Sequence, residues 1–173
     1  MLFYCVHDII LYMNDQLVFS FAEKLINGNV QSIQKVAMTD PNLVSPLVLA
    51  YIGDSVYELF VRTRLVIAVK GNVNKLHRTA TGYSKSASQA DVVHHILDML
   101  TEKEHDIVRR GRNARSGYVP KNANVTEYRY ATGFEALLGY LYLTGEVERL
   151  IDILNSAVKW VEDKDKDDTR ENG

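Results

Sequence analysis

Two acids stand in segments that otherwise read as buried. In PLVLAYIGDSVYELFVRTRLVIAV, residues 46–69, nearly every position from Pro46 to Phe60 is apolar or aromatic, yet the middle carries Gly53 and Asp54. In GFEALLGYLYL, residues 133–143, Glu135 sits between Phe134 and the run Ala136–Leu137–Leu138. An ionised carboxylate in apolar surroundings is costly unless a cation pairs with it or binds to it. For one such acid the ordinary solution is an arginine: Glu58 lies one turn after Asp54, and Arg62 and Arg64 follow it. Two facing acids would repel and raise each other's pKa unless a cation lay between them. A hard divalent ion held by carboxylates and water, such as magnesium, resolves both problems.

A second feature concerns charge. The 173 residues carry a formal net charge of −2, but RRGRNARSGYVPK, from Arg109 to Lys121, holds five basic residues and no acid. Such a run is commonly just a solvated face. Here Gly111, Asn113, Ser116 and Gly117 interleave the arginines, so a backbone could approach phosphates while Arg offers its bidentate fork. Combined with an acid pair that binds metal, this points to phosphodiester chemistry on a nucleic acid, with DNA against RNA and cleavage against binding left open. Histidine offers a competing centre. The adjacent His94 and His95 point about 100° apart on a helix and cannot share one ion. His105–Asp106 resembles the doublet of HD-type phosphohydrolases, with only His77 and Asp91 as further candidate ligands.

The elements that must position these groups read as helical. Leu17, Phe21 and Leu25 recur at fours before Gly28, and Ser45–Pro46 is a cap followed by proline at a first helical position. Because apolar residues cover most of its circumference, the helix from Pro46 is expected to be buried. NKLHRTATGYSKSASQADVVHHILDML should form two helices broken near Gly82–Ser84. The helix after Thr101 begins with acids and ends in basic residues, as its dipole favours. Two further helices follow the polar loop GYVPKNANVT, and no alternating strand pattern occurs. The expected fold is an all-α bundle.

Composition sets the outer bounds. Hydrophobic residues make up 46% and charged residues 24%, as in a soluble globular domain. One cysteine, Cys5, rules out an internal disulfide framework and fits a reducing, cytoplasmic compartment. No stretch has the roughly 18 uncharged apolar residues of a membrane span. We expect one catalytic domain over 15–161, a loose arm or start-site artefact at 1–14, and a charged, disordered tail at 162–173.

AYIGDSVYELFVR resembles the signature helix of the ribonuclease III family, and ATGFEALLGYLYL resembles its second acidic helix. VRRGRNARSG, LHRTATGYSKSASQA and PKN…YRYATGFEALLGYLYL resemble the short Mini-III branch, which lacks a double-stranded RNA-binding domain. The resemblance spans about residues 46 to 160. It implies a ribonuclease III-like bundle in which Asp54 and Glu135 bind magnesium, with manganese as a substitute, at the scissile phosphate. It gives Glu58 a supporting role behind the ligands and places Tyr51 at the interface of a two-fold homodimer. Two acids of the wider family are replaced here by Ala50 and Thr132, leaving one or two ions open. The implied substrate is double-stranded RNA, most specifically the precursor of 23S ribosomal RNA, with a ribosomal protein as a possible accessory. Arg109, Arg110, Arg112, Arg115 and Lys121 are the candidate RNA contacts. The alternative is a domain of this type that binds duplex RNA without cutting it.

Overall fold

The computed structural model describes residues 43–68, 71–115 and 124–171, without the side chains of 165 and 167–171. They belong to one compact unit, Asp40–Gly173. The expected arm at 1–14, the helix before Gly28 and Lys121 lie outside the described residues.

Helix α1 (Pro46–Ala68) starts where the proline predicts, with the Ser45 carbonyl accepting from the Val48 and Leu49 amides. Helix α2 (Val73–Ser84) is capped by Asn72, whose side chain accepts from the Lys75 amide at 3.0 Å. Helix α3 (Ser86–Ile96) passes into a 3-10 turn at Leu97–Met99. A reciprocal capping box between Thr101 and Glu104 opens α4 (Glu102–Asn113). Asn124 caps α5 (Val125–Thr144), and Gly145 ends it in the left-handed region at φ 74°. Helix α6 (Val147–Glu171) closes the described chain, which is all-α.

Helix α5 is the centre of the bundle, packed against α1, α3, α4 and α6. Phe134, Leu137, Leu138 and Leu141 are wholly buried there, and Tyr57 of α1 meets the Phe134 ring edge-on at 5.1 Å. Glycines set how closely these helices approach. A Cβ on Gly53 would stand 1.8 Å from the Glu135 carbonyl oxygen, and one on Gly139 would stand 2.0 Å from that of Leu49. Helices α1 and α5 therefore cross backbone to backbone, and any side chain at either position would force them apart. Gly111 and Gly133 make a second close crossing, between α4 and α5. Away from these contacts, Arg149 of α6 grips the buried Glu104 carboxylate at 2.7 and 2.9 Å.

One expectation is corrected. Helix α1 is not buried all round: Val48, Tyr51, Leu59 and Val66 are exposed, Tyr51 to 75%. With Ser55 and Arg62 they form one stripe at helical spacing, opposite the face that packs on α5. Within the expected charged tail, α6 continues as helix through 162–171 to Glu171. Ion pairs support that extension: Lys166 reaches back to Asp163 at 2.9 Å, and Lys164 bridges to Asp91 on α3.

Candidate active site

The α1–α5 crossing decides where the two acids go. Asp54 follows Gly53, and the backbone atom that Gly53 touches belongs to Glu135. The two carboxyls are thereby brought into electrostatic contact. No ion pair forms to either among the described residues. The neighbouring arginines are engaged elsewhere, Arg62 with Glu58 at 3.0 Å and Arg64 with Glu162 at 3.1 Å. The ordinary arginine solution is thus taken by Glu58, while Asp54 and Glu135 are left in electrostatic contact.

Both acids hold their protons more tightly than usual. Asp54 reaches solvent on one side, but burial on the other raises its pKa, and the Glu58 charge adds to this. Glu135 is pushed up to about 8, first by burial and then by the Asp54 carboxylate. The Gln89 amide on α3 works in the opposite direction, favouring the ionised form of Glu135. Gln89 is 2% exposed, and its Nε2 has no hydrogen-bond partner.

Ala50 and Thr132, which replace family acids, are buried, and the Thr132 hydroxyl donates to the Tyr128 carbonyl at 3.0 Å. Neither adds a carboxylate, and no cluster of three His, Cys, Asp or Glu suited to a metal occurs among the described residues. Two unpaired, mutually repelling carboxylates still form a hard oxygen donor set. Magnesium is commonly held by one or two carboxylates together with substrate phosphates, so the residues present fit that ion.

The expected basic contacts are only partly free. Arg109 pairs with Asp106, Arg110 donates to the Val44 carbonyl at 3.3 Å, and Arg112 donates to the Tyr130 hydroxyl at 3.1 Å. Arg115 is exposed. His105 and Asp106 line a cavity of about 390 Å³ with Glu102, Arg109, Arg112 and Tyr130, but no three acids or histidines among the described residues are grouped to hold a metal there. Asp91 is committed to Lys164. The two adjacent histidines diverge as expected, His94 against Tyr130 and His95 stacked on Trp160 at 4.3 Å.

The charge reading missed a second basic surface. Between Glu58 and Asp91 the chain contains six Lys or Arg residues and no acid. Three of them, Lys75, Arg78 and Lys85, lie exposed along or just beyond α2. A cleft between α1 and α2, lined by Glu58, Arg62, His77, Ser84 and Lys85, links this surface to the turn after Asp54. The signal was a gap in acids rather than a density of arginines, spread over 32 residues.

Known proteins resemble this chain over most of its length. A family profile described as Ribonuclease III domain matches residues 47–146. The Mini-ribonuclease 3 of Thermoanaerobacter sp. (strain X514) is 49% identical over 141 residues, 82% of this chain and 99% of that protein. The Mini-ribonuclease 3 of Symbiobacterium thermophilum is 49% identical over 125 residues, 72% and 96% of the two chains. The X-ray crystal structure of protein FN1578 from Fusobacterium nucleatum superposes with a TM-score of 0.61 at 28% identity, covering 68% of this chain and 93% of that one. An all-α bundle with two facing acids on its central crossing, matched over most of its length by these relatives, belongs to the ribonuclease III family of endoribonucleases, in its Mini-ribonuclease 3 branch.

Proposed function

We propose that Asp54 and Glu135 form the catalytic centre of a magnesium-dependent endoribonuclease that cuts double-stranded RNA, with the 23S ribosomal RNA precursor as substrate. The observation that carries this reading is the pair itself: two acids in electrostatic contact beside a glycine crossing, with the nearby arginines assigned to other partners. Asp54 and Glu135 would hold the ion, and manganese would substitute for it. When bound, the metal supplies a water of lowered pKa and offsets charge on the phosphate in the transition state. The products would carry 5′ phosphates and 3′ hydroxyls. A domain kept only for binding would gain nothing from this repulsion, which favours the enzyme over an inactive module. Incubation with a ribosomal RNA precursor and magnesium tests the substrate: we expect cuts within its paired stem, and an intact stem would overturn that assignment. A cytoplasmic setting with ribosomal protein on the substrate suits such a reaction. No helix among the described residues is long and apolar enough to cross a membrane.

A-form RNA is read through its phosphates and 2′-hydroxyls rather than its base edges. The exposed Arg115 and the α2 surface around Arg78 and Lys85 are suited to such contacts. Arg115→Ala and Arg78→Ala are each expected to weaken duplex binding and flatten its log–log salt slope by about one. An unchanged slope in either variant would return that surface to an ordinary solvated face.

The exposed stripe of Val48, Tyr51, Leu59 and Val66 supports a homodimer built on α1. A two-fold axis there would set one acid pair against each strand of a duplex. Tyr51→Lys is expected to sediment as a monomer. If the mass were unchanged from the parent's, Tyr51 would have no part in the interface.

A further inference from the structure

Among the described residues, Gln89 carries a buried amide whose place the fold does not explain. Three polar or charged side chains are buried among the described residues: Gln89, Glu104 and Thr132. Glu104 is satisfied by Arg149 and by its capping box, and Thr132 by the Tyr128 carbonyl. Gln89 is 2% exposed, on a helix packed against α5, and its Nε2 has no hydrogen-bond partner. A Leu or Met would fill that space without burying an amide. The amide acts on the Glu135 carboxyl, favouring its ionised form.

We infer that Gln89 is a positioning residue: its amide N–H groups steady one Glu135 oxygen and leave the other turned toward Asp54. The chemistry of the side chain fits that task. A Lys or Arg at this point would neutralise Glu135 and compete with a metal ion for it. An Asp or Glu would add a third negative charge to a site where no described Lys or Arg pairs with either acid. An amide donates without a net charge. It also reaches Glu135 from α3, a third helix, so the carboxyl is fixed by more than the two helices that carry the acids. Partners of this kind behind a metal ligand are commonly worth 10–100-fold in affinity or activity.

The inference rests on the proposed metal-dependent cleavage, and its test separates the two. Gln89→Met keeps the length and removes both donors, while Gln89→Asn keeps the amide but draws it back by one methylene. For both variants we expect kcat on duplex RNA to fall about 10–100-fold with KM close to the parent's. Manganese binding to the RNA-free protein, measured by calorimetry, should weaken by a similar factor, and the unfolding midpoint of Gln89→Met should not fall. Parental kcat and parental manganese affinity in a folded Gln89→Met protein would overturn the inference and make Gln89 a packing residue. If Gln89→Met loses its helical signal, Gln89→Asn decides: parental values there overturn the proposal equally. Asp54→Asn run alongside reports on the centre itself, since retained cleavage there would refute the nuclease site regardless of Gln89.

Discussion

Asp54→Asn is expected to slow RNA cleavage roughly 10³-fold while leaving the folded protein as stable as the parent, or more so. The two halves of that result have one cause. The carboxylate is kept where it is partly desolvated, beside Glu58 and against Glu135, with no arginine assigned to it. Removing the charge relieves that repulsion, so the unfolding midpoint should hold or rise. The same change removes half of the donor set that would bind the metal. Single-turnover cleavage and thermal unfolding on one preparation measure both. A parental cleavage rate would exclude Asp54 from the chemistry. A large drop in midpoint would show that Asp54 is a structural acid with a partner, contrary to the geometry described above.

The second large effect is on stability against pH in the absence of metal. Glu135 has a folded pKa of about 8 against an ordinary 4.5, so the folded protein retains a proton that the unfolded chain releases. Stability from this group is therefore fully present below about pH 4.5 and is lost as the pH rises through 8. Within that window the slope approaches ~1.4 kcal/mol per pH unit for one proton. The raised Asp54 pKa acts in the same direction. Urea unfolding in a chelator across this range should show the decline, and Glu135→Gln should flatten it. Magnesium should restore stability at pH 8, because binding favours the ionised carboxylates. An unchanged pH profile in Glu135→Gln would contradict the burial and charge described for this residue.

The helices and both acids were legible in the chain because each depends on local pattern. Pro46, Asn72, Thr101 and Asn124 stand at or beside helix starts, and an acid among Phe134 and Leu137 is anomalous wherever the helix packs. What stayed hidden depends on pairs of elements. Gly53 and Gly139 look like ordinary helix weaknesses until α1 and α5 are laid across each other, when each proves to be the only residue that fits. The exposed face of α1 could not be told from its buried face, since Tyr51 and Tyr57 are the same residue type with opposite surroundings. Arg112 reads as a free cation and is bonded to Tyr130, 18 positions away. Gln89, within SASQAD, carries no mark of its burial. The charged end of α6 was read from composition alone, which omits pairs such as Lys164 with Asp91 on another helix.

The central claim is that the facing acids cut RNA with the help of a divalent ion. It is tested most directly by incubating the parent protein with a uniform RNA duplex in chelator, then restoring magnesium to the same sample. The account predicts intact duplex in chelator and, after magnesium, shortened fragments with 5′ phosphates. Duplex that is retained by the protein yet never shortened would contradict it and leave a binding domain. Equal cutting before and after magnesium would contradict it as well, since Asp54 and Glu135 would then need no shared cation.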